Sequence, residues 1–193
     1  AYNSTVGNVV QTVTNTYQGF VAYTNVSTSS QTTLTQLTTS ITPKFNNSKI
    51  LILASITYDW NRNNSGCGFV VFRDNQGGTD AALAVGNALS NNYRVYTDLG
   101  ANSNYDQSCM QRTINLVDSP STNNNIQYQI RLQNSSNGGG RNFILNASQH
   151  ANGNDGNQSD DPKCVSVVTL MELAQWVTCL LYTSDAADDN VGV

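Results

Sequence analysis

The chain is short of ionisable side chains. Among 193 residues there is one histidine, His150, and one glutamate, Glu172, and lysine is confined to Lys44, Lys49 and Lys163. Only 11% of residues are charged, against about 25% in an average globular domain. Hydrolytic and group-transfer sites draw on several titratable groups that converge on one pocket. A chain so poor in them leans towards a structural or binding role, and no cofactor is expected. The balance of 9 basic and 13 acidic residues leaves a net charge of −4. No basic surface able to neutralise a run of phosphates can be assembled from so few cations, which sets nucleic acid aside as a partner. No apolar run reaches the roughly 18 residues of a membrane-spanning helix. The 3 prolines and 14 glycines follow no triplet period, so the chain is not collagen-like. There is neither an initiator Met nor a signal-like segment, the pattern of a mature chain or a fragment.

Uncharged polar residues fill the gap: Asn, Ser, Thr and Gln are plentiful, and hydrophobic residues at 38% suffice for one core. Their order is dominated by two-residue alternation, the mark of half-buried strands. The clearest case is Lys49 to Trp60, where Ile50, Ile52, Ala54, Ile56, Tyr58 and Trp60 share one face. Its first part, Ile50 to Leu53, is apolar on both faces and is expected to be buried on both. Ile126 to Leu132 alternates through Ile126, Tyr128, Ile130 and Leu132. Cys164 to Leu173 does so through Val165, Val167, Thr169, Met171 and Leu173. Further strands are expected around Val9 to Val13, Leu37 to Ile41, Gly68 to Arg73, Tyr93 to Leu99, Met110 to Val117 and Asn142 to Ala147. Ala81 to Val85 reads as a strand or a helical turn. Pro43 to Asn47, Asp74 to Gly78 and Asp118-Ser119-Pro120 carry turn chemistry. Nine or ten short strands without a long helix imply an all-β antiparallel β-sandwich. A jelly roll is the expected form, with an immunoglobulin-like sandwich as the alternative.

Three regions are distinguished: an N-terminal arm (1–18), a β-sandwich domain (19–178) and a tail (179–193). The stretch Cys179 to Asp189, C-L-L-Y-T-S-D-A-A-D-D, is similar to a translated transposase-type sequencing adapter, so the tail is set aside from fold reasoning. In the arm, Val9, Gln11 and Val13 alternate, but Asn3, Ser4, Thr5 and Gly7 offer no packing anchors. Ala1 to Gly7 is expected to be ordered by a neighbouring subunit or shell protein.

The spacing of several short motifs resembles a β module of tailed-bacteriophage virion-surface proteins, in tail fibres, head fibres and capsid decorations. These are Ile41-Thr42-Pro43, Ser48-Lys49-Ile50-Leu51-Ile52, Phe72-Arg73-Asp74, Asp118-Ser119-Pro120, Tyr128-Gln129-Ile130-Arg131-Leu132 and Val168-Thr169-Leu170-Met171-Glu172-Leu173-Ala174. The layout is also similar to the jelly rolls of the complement-globular-head and tumour-necrosis-factor type. The resemblance implies a non-enzymatic virion structural protein on the particle surface. Its partners would be other virion proteins and copies of itself, in a homotrimer with Val9, Val13 and Met171 near subunit contacts. The competing reading is a receptor-recognition module for host surface glycan.

Candidate chemistry is sparse. Asp155, Asn157, Ser159 and Asp160 could ligate Ca²⁺, but no bidentate Glu closes the loop, and a solvated acidic loop is the simpler reading. Tyr93, Tyr96 and Tyr105 lie in Asn-rich text and could stack on sugars; the simpler reading is tyrosines at the edge of the core. His150 has no second histidine or glutamate near it and reads as a surface residue. Cys67, Cys109 and Cys164 show no metal spacing and are expected as small buried or loop residues, with a Cys67–Cys109 bridge as the alternative. Asn-x-Ser/Thr sequons, including those at Asn46, Asn134 and Asn146, are attributed to composition.

Overall fold

A computed structural model describes residues 8–26, 31–60, 67–74, 80–86, 96–99, 109–134, 141–148 and 163–174. They form two antiparallel sheets packed face to face. The first is built on β5 (Lys49–Trp60), whose twelve residues are long enough to serve three partners. One side of β5 pairs with β9 (Met110–Asp118) from Ile50 to Tyr58. Its other side pairs with β12 (Ser166–Leu173) from Lys49 to Ser55 and with β11 (Arg141–Leu145) from Tyr58 to Trp60. Beyond these lie β1 (Val9–Tyr17) on β12 and β2 (Val21–Val26) on β11. The second sheet is built on β10 (Ile126–Asn134) and β6 (Cys67–Asp74), paired along their lengths. Short β3 (Thr32–Thr33) and β4 (Thr39–Ile41) flank β10, while β7 (Ala81–Leu83) and β8 (Thr97–Asp98) flank β6. The chain crosses between sheets from β2 to β3, β4 to β5, β5 to β6, β8 to β9, β9 to β10 and β10 to β11. This is the jelly-roll form of the sandwich.

Of the expected arm, residues 9–17 form β1, hydrogen-bonded to β12 along its length. The stretch 81–85 resolves into the three-residue strand β7. Leu37 ends a 3₁₀ turn (Thr35–Leu37), and only Thr39–Ile41 is strand. Double-sided burial of Ile50 to Leu53 is corrected. Ile50 and Ile52 are buried, but Leu51 and Leu53 are half-buried, because the outer side of this part of the sheet has no second layer over it among the described residues. Burial on both faces instead marks Ile56 to Trp60. No disulfide joins Cys67, Cys109 or Cys164, so the Cys67–Cys109 bridge does not form. Cys67 opens β6 in one sheet, whereas Cys109 precedes β9 in the other.

The core has an aromatic end and an aliphatic end. Phe143 is the hub of the first. Tyr58 stacks on it at 5.5 Å, Phe69 meets it edge-on at 6.0 Å, and Trp60 and Tyr23 lie tilted at 6.3 and 6.1 Å. Offset and edge-on pairs of this kind add about 0.5–1.5 kcal/mol beyond area burial. The buried Tyr58 hydroxyl donates to Leu99 O at 2.6 Å, so its polar end is satisfied. At the other end Ile41, Ile50, Ile52, Leu116 and Ile126 fill the space between the sheets.

Candidate functional site

Three buried polar clusters tie the strands together. In the first, Glu172 of β12 is fully buried. Its Oε1 accepts hydrogen bonds from Ser48 Oγ (2.6 Å), Lys44 N (2.7 Å) and Phe45 N (3.2 Å), and its Oε2 from Gln11 Nε2 (2.6 Å). Burial alone would raise its pKa. The bonds from Ser48, Gln11 and the two main-chain N–H groups outweigh that and hold it below the ordinary value. One carboxylate thus joins β1, β12 and the turn before β5.

The second cluster lies between the sheets. Arg73 of β6 stands opposite Tyr128 of β10, both facing inward, and meets Asp118 of β9 from the other sheet. Arg73 Nη1 donates to Asp118 Oδ1 at 2.8 Å and Oδ2 at 2.7 Å, and the Tyr128 hydroxyl donates to Oδ2 at 2.8 Å. Burial, then the charge of Asp118, pushes the Tyr128 hydroxyl far above its ordinary pKa, so it remains a donor. The third cluster centres on Asn146, whose φ of 62° lies in the left-handed region that Asn tolerates. Its Nδ2 donates to Tyr17 O (2.7 Å) and Gly19 O (2.9 Å), holding the joint between β1 and β2. Its Oδ1 accepts from Ser166 Oγ at 2.5 Å, and Ser166 Oγ accepts from Thr57 N at 2.9 Å. Every named group in these clusters is engaged in holding strands.

The two outer faces differ. On the β10–β6 sheet, the Arg131 guanidinium lies 4.0 Å over the Phe72 ring. It pairs with Asp80 at 2.5 Å and donates to Gln129 Oε1, while Gln129 donates in turn to Gln127 and Asp74. This face is charged and internally paired. The other sheet presents three cross-strand rows over β1, β12, β5 and β9. They are Thr12–Met171–Leu51–Val117, Thr14–Thr169–Leu53–Asn115 and Thr16–Val167–Ser55–Thr113. None of these side chains is charged. A shallow groove of about 330 Å³ runs among Leu53, Ser55, Thr113, Asn115, Val167 and Thr169.

The candidates read from sequence do not converge. Tyr96 is half-buried against the core. Its hydroxyl donates to Asn115 O at 2.6 Å and accepts from Asn115 N at 3.0 Å, so it braces β9. Tyr93, Tyr105, His150 and the Ca²⁺ candidates Asp155, Asn157, Ser159 and Asp160 lie outside the described residues. Among the described residues no three His, Cys, Asp or Glu side chains gather as metal ligands. The clusters around Glu172, Asp118 and Asn146 went unread as sites. The one available signal was parity, since Glu172 shares its register with the inward-facing Val168 and Leu170.

No family model matches the chain, and no curated protein matches it in sequence. Solved structures do. A chain of the IBDV viral particle is 11% identical, with a TM-score of 0.45, over 88% of this chain and 37% of that one. The VP2 subviral particle of infectious bursal disease virus is 13% identical, with a TM-score of 0.37, over 86% and 37%. Eiger TNF from S. frugiperda is 10% identical, with a TM-score of 0.30, over 81% and 94%. The chain therefore spans little more than a third of the viral-particle chains it matches.

Proposed function

We propose that this chain is a non-enzymatic virion structural protein, a surface module of the capsid-decoration or fibre type in a tailed bacteriophage. It would act through contacts with other virion proteins and with copies of itself. The observation that carries the reading is where the motifs of the phage virion module fall. Phe72-Arg73-Asp74, Asp118-Ser119-Pro120 and the segment from Tyr128 to Leu132 contribute Arg73, Asp118 and Tyr128, which meet in one buried cluster. The segment from Ser48 to Ile52 and that from Val168 to Ala174 contribute Ser48 and Glu172, which meet in another. Short motifs far apart in the chain are the pieces of two strand-locking clasps. They are therefore the parts of the text that a module of this fold would have to keep. The polar chemistry of the described residues is spent on holding strands, as suits a particle component.

Mass spectrometry of virus particles purified from the source sample tests this. Peptides of this chain are expected in the particle fraction after nuclease and detergent treatment. Peptides recovered only outside particles would overturn the reading. A glycan array separates the competing role: saturable binding to a defined glycan would favour a receptor-recognition module over a decoration.

A further inference from the structure

On β12 the more apolar register points the wrong way for a lone domain. The inward positions are Ser166, Val168, Leu170 and Glu172, and the half-exposed outward positions are Val167, Thr169, Met171 and Leu173. β12 lies between β1 and β5, well inside the sheet, so this is no edge irregularity. The same outward face includes the two half-buried leucines of β5 and Val117, which is 53% exposed. A sheet face that carries this much apolar surface outward, with no second layer over it among the described residues, has the character of a contact surface.

We propose that this face of the β1–β12–β5–β9 sheet is where copies of the chain meet, and that its occupant is a second copy presenting the same rows. The inference rests on the reading of the chain as an assembling structural module, and it names the face that assembly uses. Two observations select a copy over a different partner. First, the chain carries a net charge of −4, yet the three rows carry none, so identical molecules can approach here without like-charge repulsion. A partner selected by opposite charge would find nothing to pair with. Second, the polar members of the rows are hydroxyls and one amide. Each such group both donates and accepts, so it can pair with its own symmetry mate, which a carboxylate or an ammonium cannot do.

The size of the face sets the geometry. Four strands and three rows span roughly 20 by 20 Å, or about 400 Å², half of what one partner of a standard pair contributes. A fourth row adds Val9 and Leu173 before the first charge, Lys49. Turned against the same face of a second copy about a two-fold axis, a patch of this area makes a small isologous contact of the weaker, concentration-dependent kind.

Sedimentation velocity of the full chain at micromolar concentration, with far-ultraviolet circular dichroism, is the test. The wild type is expected as an oligomer. Leu53→Lys and Thr113→Lys should raise the dissociation constant at least tenfold with the β spectrum unchanged, and Ala82→Lys on the opposite sheet should leave the oligomer intact. Thr113 is exposed, so Thr113→Lys decides the matter if Leu53→Lys fails to fold. An oligomer that survives both face variants overturns the inference and leaves self-assembly standing. A monomeric wild type overturns both, while detection in particles remains an independent result.

Discussion

Two buried carboxylates hold this sandwich together by different means. Asp118 faces a cation and a phenol, both of them side chains. Glu172 accepts from a hydroxyl, a side-chain amide and two main-chain N–H groups of the turn before β5. A side-chain donor can be deleted along with its acceptor, but a main-chain N–H cannot. The Asp118 cluster is thus one solution among several for that volume, whereas the Glu172 cluster answers a demand that the backbone itself makes. The comparison teaches that the charge of a buried group says less about its value than the kind of donor it serves.

The largest expected effect follows. Glu172→Ala strands the Ser48 hydroxyl and the turn N–H groups, and should cost about 4 kcal/mol by urea denaturation. Asp118→Ala leaves Arg73 and Tyr128 without that acceptor. The Arg73 side chain is 17% exposed, so water offsets part of the loss, and about 3 kcal/mol is expected. A smaller difference between the clusters appears on titration. Because the Glu172 pKa is lowered on folding, its contribution is complete above the ordinary carboxylate value of 4.5 and is lost as pH falls from there through the folded value. Glu172→Gln should therefore be about 2 kcal/mol less stable than wild type at pH 7, and the gap should narrow below pH 4.5. A constant gap would show that the carboxylate charge is not what the turn requires. The smallest effect is the sharpest contrast. The triple variant Arg73→Met, Asp118→Leu, Tyr128→Phe removes donors and acceptor together, and should stay within about 1 kcal/mol of wild type. Glu172→Leu has no such rescue. Equal losses from the two replacements would erase the distinction.

Much of the fold was legible because alternation survives on its long strands. β5, β10 and β9 each read correctly from a period of two, and so did the extent of β12. The facing of β12 is not set by that pattern. Its apolar register, Val167, Met171 and Leu173, points outward, while the register holding Glu172 points in. The pattern reports which residues share a side, and only the neighbours decide which side is covered. β2 escaped notice because Val21, Ala22 and Tyr23 are all half-buried and show no alternation. The clusters were illegible for another reason. Arg73 and Asp118 lie 45 residues apart, and Ser48 and Glu172 lie 124 apart, so their meeting depends on sheet topology that no local window contains. Tyr96 packs at the edge of the core, and its grip on the β9 backbone lies beyond pattern.

The Asn146 joint also constrains where this protein can be made. Asn146-Ala147-Ser148 is a glycosylation sequon with all three residues buried. The amide nitrogen that would carry the sugar is the one donating to Tyr17 and Gly19. The sequon at Asn134 is in the same position, for its buried Nδ2 donates to Val26 O at 3.0 Å. Oligosaccharide transfer acts on the nascent chain before strands close. A copy modified at either site could not bring β1 and β2, or β2 and β10, together. Expression through a secretory pathway that glycosylates such sites is therefore expected to yield less folded protein than expression without that machinery.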